Sequence, residues 1–289
     1  MSPRKNHSLL HRLLAVCLAI ACVLSVSACQ RGDTTDGVRI LFFDVGQGNA
    51  ALIRTPEGDI LIDAGGEGTE VFLCTRLRQL GVGELALAVF TSSASESIGG
   101  ADGVLEEFGA RSVWYNGGFA ENESAEQLGI ALDALGIEAQ YVDAYRSVRI
   151  GGVSLGVLLP FAMELDVEHL VLQLSYGGFS AVWMGRASAD EEAQICASYS
   201  RAVLESDLLV VGRHGSQTVT GEALLATLSP QYALISCGEN NLYGYPTGEL
   251  LERLAATGTQ VLRTDRDGEI VFVADGDGLC LSEGQEKRK

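Results

Sequence analysis

The chain has 289 residues, 35 of them glycine, and carries 38 Asp+Glu against 20 Lys+Arg for a formal net charge of −18. That length suits one large α/β domain with a substantial core. The charge disfavours a nucleic-acid partner, because phosphate binding depends mainly on Lys and Arg that release counterions, and no lysine occurs between Lys5 and Lys287.

The first segment reads as an address. Arg4, Lys5 and Arg12 surround the start of a nearly unbroken apolar run over residues 13–26. The run is shorter than the roughly 20 apolar residues of a spanning helix. It ends in Val26-Ser27-Ala28-Cys29, which resembles the bacterial lipobox and is set aside from the fold. The resemblance implies an exported chain with a signal peptide over 1–28 and diacylglycerol on Cys29. A polar tether would follow to residue 37, holding the protein at the extracytoplasmic face of the cell membrane. The folded domain is expected over 38–275 and a polar tail over 276–289. Leaving out the three leading cations makes the net charge three units more negative than −18.

Beyond the tether, runs 38–44, 50–54 and 59–62 have strand character and are separated by glycine-rich turns. Residues 69–80 read as a helix stopped by Gly81, 85–91 as a buried strand, and 100–108 as a short helix. A strand over 111–115 and a helix over 124–135, closed by Gly136, follow. The middle is more antiparallel, with strands over 139–142, 147–150, 153–159, 170–176 and 179–184. Gly177-Gly178 between the last two is a hairpin signal. Then come a helix over 189–204, a strand over 208–211, a helix over 221–228, a strand over 232–236 and a helix over 248–256. A closing hairpin is predicted between 261–264 and 269–273, around Arg266-Asp267-Gly268. Hairpins mixed with β-α units suggest two sheets with helices outside them.

Seven cysteines occur. Cys17 and Cys22 fall in the signal, leaving Cys74, Cys196, Cys237 and Cys280 beside the lipidated Cys29. Their spacing is too wide for a Cys-x-x-Cys zinc site, and three disulfide pairings would be open to them. Buried free thiols are expected.

Five motifs, in order, carry a specific resemblance. They are Phe43-Asp44-Val45-Gly46-Gln47-Gly48-Asn49-Ala50, Ile60-Leu61-Ile62-Asp63-Ala64-Gly65-Gly66, Val211-Gly212-Arg213-His214-Gly215-Ser216, Asn240-Asn241-Leu242-Tyr243-Gly244-Tyr245-Pro246 and Arg263-Thr264-Asp265-Arg266-Asp267-Gly268. Together they resemble the metallo-β-lactamase-type hydrolase domain of the ComEC/Rec2 competence proteins, over nearly all of 38–274. A lone Gly46-x-Gly48 would mean little, and no Gly-Lys-Ser/Thr follows to make a phosphate loop. The resemblance implies an α/β fold, a four-layer αββα sandwich with the site at one edge.

The family's signature Thr-His-x-His/Asp-x-Asp-His-x-Gly-Gly aligns on Thr91 to Gly100. Thr91, Ile98, Gly99 and Gly100 fit it, whereas Ser92, Ala94, Glu96 and Ser97 stand at its ligand positions. Elsewhere Arg186, Arg213 and Tyr245 replace ligands, and Thr247 stands where another histidine often follows. A catalytic zinc needs about three His or carboxylate ligands and an open water position. Beyond the signal only His169 and His214 remain as imidazoles.

The reading that follows is a surface-anchored pseudoenzyme with no metal, acting by binding or scaffolding. His214 is the one candidate for a catalytic base. Arg186 and Arg213 could bind a small anion, since a guanidinium stays charged and forks onto carboxylate or phosphate. Alternatively they pair with Glu96, Asp63 or Asp44 and plug the old site. Asp44 and Asp63, at strand ends, would bond turn amides, and His169 would play no part. Envelope proteins, including an active paralogue or a DNA-uptake channel, are further candidate partners. The competing reading is a metal-dependent phosphodiesterase or nuclease linked to extracellular DNA and competence. In it His214, Glu96, Asp44 and Asp63 would hold Zn or Mn weakly.

Overall fold

The computed structural model describes residues 37–119, 121–142, 145–159, 169–275 and 278–282. The expected signal segment, Cys29 and the tether up to residue 36 lie outside the described residues, as do residues 283–289.

Eight strands form the first sheet: β1 (Val38–Phe42), β2 (Ala51–Thr55), β3 (Gly58–Ile62), β4 (Leu87–Phe90), β5 (Val113–Tyr115), β6 (Ala139–Gln140), β14 (Ile270–Asp275) and β15 (Gly278–Leu281). Their order is β15-β14-β1-β2-β3-β4-β5-β6. The tight turn at Gly58 makes β2 and β3 an antiparallel hairpin. From β3 to β5 the pairing is parallel, and parallel neighbours need crossovers. Helices α1 (Glu70–Gln79), α2 (Ser95–Ile98) and α3 (Ala101–Phe108) lie in them. Helix α4 (Glu123–Leu135) starts where the Asn122 side chain accepts the Ala125 amide and stops on a left-handed Gly136.

The second sheet runs β13-β12-β11-β10-β9-β8-β7. Strands β7 (Ser147–Ile150), β8 (Val153–Val157), β9 (Leu172–Tyr176) and β10 (Phe179–Trp183) are an antiparallel meander, and β11 (Leu208–Val210), β12 (Tyr232–Ile235) and β13 (Gln260–Arg263) continue it in parallel. Helices α5 (Ala189–Ser198), α6 (Arg201–Leu204), α7 (Glu222–Leu228) and α8 (Gly248–Ala256) cover its outer face.

Alternation along the strands sorts the apolar residues into three cores. Ile40, Phe42 and Ile53 meet Leu172, Leu174 and Trp183 between the sheets. Leu41, Leu52 and Leu61 face Leu73, Leu77 and Leu105 of the first helical layer. Val182, Leu209 and Ile235 face Ile195, Leu225 and Leu250 of the second. The architecture is the expected αββα sandwich.

Four local expectations are corrected. No hairpin joins 261–264 to 269–273: β13 pairs with β12 in the second sheet and β14 with β1 in the first. Asp267 accepts the Arg263 amide and winds the link into a helical turn, α9 (Thr264–Asp267), that carries the chain between sheets. The helix over 189–204 is two helices, because Tyr199 is extended and its hydroxyl donates to the Leu159 carbonyl. Residues 278–281, read as polar tail, form edge strand β15. The four cysteines are free, but Cys280 is exposed and Cys196 half-buried.

The strands that precede the motifs, β1, β3, β4 and β10 to β13, all end at one edge of the sandwich. Val38 starts β1 at the opposite end.

Candidate functional site

Three loops of the first sheet interlock at that edge through their backbones. Asn49 N donates to Glu96 O at 2.9 Å, Ala64 N to Ser97 O at 2.7 Å, Gly65 N to Asn49 O at 2.7 Å and Gly99 N to Gly65 O at 2.8 Å. A Cβ on Gly99 would lie 2.3 Å from Glu67 N and 2.4 Å from Gly66 C. Only glycine admits that crossing, which gives the Ile98-Gly99-Gly100 remnant a structural reason.

Asp63 is 3% exposed and has a left-handed φ of 58°. Its Oδ1 accepts the Thr91 amide at 2.7 Å and its Oδ2 accepts the Thr91 hydroxyl at 2.8 Å. It therefore staples β3 to the end of β4 rather than bonding its own turn. Burial pushes its carboxyl up to about 7 against the lowering effect of the bonds from Thr91 and Ser97. Asp44 does bond its turn, accepting the Gly46 amide at 3.3 Å.

The four positions of the signature loop do different things. Ser92 and Ser97, both buried, share a hydrogen bond at 3.1 Å. The Ala94 amide donates to the Ser92 hydroxyl at 3.3 Å. Glu96 is part-exposed and lies 3.9 Å from Arg186.

The second sheet supplies the opposite wall. Arg186, its side chain 39% exposed, follows β10 and faces Glu96. Among the described residues Arg213 forms no ion pair, although its charge reaches the Glu192 carboxylate; its Nε donates to the Arg186 carbonyl at 2.9 Å and to the Ala187 carbonyl at 3.3 Å. Arg213 and His214 both have left-handed backbone, with φ 47° and 54°, a conformation costing roughly 1–2 kcal/mol per residue. His214 is buried, and its Nδ1–H donates to the Ser236 carbonyl at 2.9 Å. That bond leaves Nε2 as an acceptor on a neutral ring, and burial holds the imidazole below its ordinary range. Tyr245 is half-buried and stacks on Tyr243, with centroids 5.6 Å apart. His169 pairs with Glu191 at 2.9 Å, beside the signature loop through a bridge to Ser92.

These residues do not fit a dinuclear metal centre. Among the described residues no group of three or more His, Cys, Asp and Glu side chains could hold a metal ion. Both oxygens of Asp63 are engaged by Thr91, and one His214 nitrogen is committed to Ser236. A cavity of only about 20 Å³, lined by Asp63, Asn49, Thr91, Trp183 and Ser236, lies beneath the edge. On one flank a cleft of about 300 Å³ is lined by Asp44, Glu239, Thr264, Asp265 and Arg266.

Several residues that organise the site carry no chemical signature in the sequence. Ser236 Oγ donates to the Gly48 carbonyl at 2.9 Å and joins the two sheets. Thr264 Oγ1 accepts the Cys237 amide at 3.0 Å and donates to its carbonyl at 3.1 Å. Glu192, buried, accepts the Thr220 and Gly221 amides, and Arg253 donates to the Val219 and Thr220 carbonyls. Together they brace the loop bearing Arg213 and His214. A hydroxyl one residue past a buried strand, as at Ser236, was the available clue.

No family model matches the chain. Over 89% of its length it is 26% identical to ComE operon protein 3 of Bacillus subtilis (strain 168). Over 81% it is 28% identical to Competence protein ComA of Neisseria gonorrhoeae, and over 84% it is 26% identical to Recombination protein 2 of Haemophilus influenzae. The chain spans about a third of those relatives, 35%, 32% and 30% in the same order. Two similar solved structures are Igni18, a metallo hydrolase from Ignicoccus hospitalis, and YhfI, a metallo-β-lactamase fold protein from Bacillus subtilis. Igni18 aligns with a TM-score of 0.54 at 12% identity, covering 83% of this chain and all of that one. YhfI aligns at 0.52 and 12%, covering 82% and 99%. The fold is that of the metallo-β-lactamases, and the sequence kinship is with competence proteins of the ComEC/Rec2 type.

Proposed function

From a metallo-β-lactamase fold whose sequence relatives are competence proteins, we propose that this chain is a competence-related binding domain without a hydrolytic centre. In this reading it is held at the outer face of the cell membrane through a lipidated Cys29. One observation carries it. Where the fold would gather metal ligands, the edge instead holds the Ser92–Ser97 hydroxyl pair, an Arg186–Glu96 ion pair and an Arg213 spread over two carbonyls. Ligands must converge within about 2.0–2.2 Å of an ion, and losses at separate motifs cannot be repaired by one neighbour. Arg186 and Arg213 supply fixed positive charge there and are the groups that would meet a small anion. Glu96 competes for the first, so such binding would be weak.

The test is phosphodiester hydrolysis. The full chain in detergent, supplied with Zn²⁺ or Mn²⁺, should turn over bis(4-nitrophenyl) phosphate no faster than the metal alone. Metal-dependent turnover that disappears in His214→Ala would overturn the reading. Membrane attachment is tested separately: Cys29→Ala should move the protein from the membrane fraction to the soluble one, and an unchanged distribution would remove the anchor.

A further inference from the structure

We propose that the loop over residues 238–246 is a docking surface for a basic peptide segment of a partner protein. The inference rests on reading the domain as a binding module, and it names what that module would bind.

The loop displays apolar surface that the fold does not use. Leu242 is fully exposed, and Tyr243 is 63% exposed. Single exposed apolar residues are ordinary, but here they stand beside an aromatic pair. Tyr243 and Tyr245 stack with centroids 5.6 Å apart and planes 14° from parallel.

The surface is also pre-ordered. Asn241 Nδ2 donates to the Gly238 and Tyr245 carbonyls at 2.9 and 2.6 Å, and Asn241 Oδ1 accepts the Tyr245 amide at 3.0 Å. At the base of the loop the Thr247 amide donates to the Gly215 carbonyl at 3.0 Å. A tip already held in one shape loses little freedom on binding, which favours affinity.

Charge selects the partner. Glu239, in the same loop, is exposed and has no hydrogen-bond or ion-pair partner among the described residues. It lines the cleft with Asp44, Asp265 and Arg266; Asp265 is already paired with Arg263, so Asp44 and Glu239 against Arg266 leave an acidic excess, on a chain of net charge −18. Such a surface attracts cations and repels phosphate polymers and anionic lipid. Tyrosine faces accept guanidinium or ammonium groups through cation–π attraction, and Leu242 suits an apolar neighbour of that cation. The loop follows the end of β12, at the opposite end of the sandwich from Val38.

The probe is a fluorescein-labelled Arg-Leu-Arg-Leu-Arg peptide, titrated into the full chain in detergent at low salt and read by fluorescence polarisation. Binding should saturate and weaken about tenfold or more when Leu242→Ser is combined with Tyr243→Ala. That pair leaves net charge unchanged, so it separates docking from general attraction. Glu239→Gln should weaken binding several-fold. Equal affinity in the double variant overturns the proposal, as does equal binding of the Glu-for-Arg peptide. Saturable binding only to an N-acetylglucosamine oligomer or to a DNA oligonucleotide overturns it too. Failure here leaves the absence of hydrolysis untouched, and phosphodiester turnover would leave a positive peptide result standing.

Discussion

The two walls of the site edge are built differently. On the first-sheet side, Asp63, Thr91, Ser92 and Ser97 are buried and bonded to one another, and the backbone crosses at Gly99 too closely for any side chain. On the second-sheet side, Arg186 is part-exposed, Arg213 and His214 have left-handed backbone, and the adjoining loop presents Leu242 and Tyr243 to solvent. The first wall is mostly closed and holds the sandwich together, although Asp63 on it also has left-handed backbone and Glu96 is part-exposed. The second wall carries two successive left-handed residues and the exposed apolar side chains Leu242 and Tyr243.

Substitutions on the two walls test that contrast. The largest effect is expected from Gly99→Val, whose side chain would have to enter the Gly66–Glu67 backbone. We expect a destabilisation of roughly 3 kcal/mol or more by urea denaturation, or no folded protein at all. A near-normal midpoint would mean that the closed wall is slack.

Asp63→Asn should act in the opposite direction. Because the folded carboxyl sits at about 7 rather than the ordinary 3.8, its contribution is most favourable below about pH 4. It declines as pH rises towards 7 and is flat above that. Asparagine keeps an acceptor for the Thr91 amide and tolerates left-handed backbone. The variant should therefore gain on the order of 2–4 kcal/mol over the parent at pH 7.5 and little at pH 4. Melting temperatures across that range would show it, and a variant less stable than the parent at pH 7.5 would contradict it.

Thr264→Val removes the hydroxyl that bridges both backbone groups of Cys237 and should cost about 1–2 kcal/mol. Smallest of all is Arg186→Ala. The pair with Glu96 is long and part-exposed, so stability should change by no more than about 0.5 kcal/mol. Combined with Arg213→Ala, it should abolish any thermal stabilisation by phosphate or sulfate. If neither anion stabilises the parent, the anion-binding role is lost.

Much of this organisation was legible in the residues. Strand and helix order followed from apolar alternation and from punctuation such as Gly58, Gly136 and Gly177-Gly178. The motif positions located the edge, because every motif contains or follows the end of a strand that runs to it. What local pattern could not supply was pairing at a distance. Arg263 to Gly268 has the composition of a hairpin turn, yet Asp267 folds it into a helical turn that changes sheets. Tyr199 breaks a plausible helix because its hydroxyl reaches Leu159, forty positions away. Asp63 looked like a turn residue, and its bonds to Thr91 depend on β4 lying beside β3. Whether Arg186 and Arg213 would meet carboxylates also depended on side-chain reach. One found Glu96 and the other found carbonyls, an outcome between the two that the residues suggested.

In the proposed reading the edge keeps the metallo-β-lactamase frame but not its metal. Elemental analysis of the full chain, purified without chelators from medium containing zinc and manganese, tests it most directly. Well under one equivalent of either metal per chain is expected, unchanged in His214→Ala. One or two tightly held equivalents, lost in that variant, would contradict it.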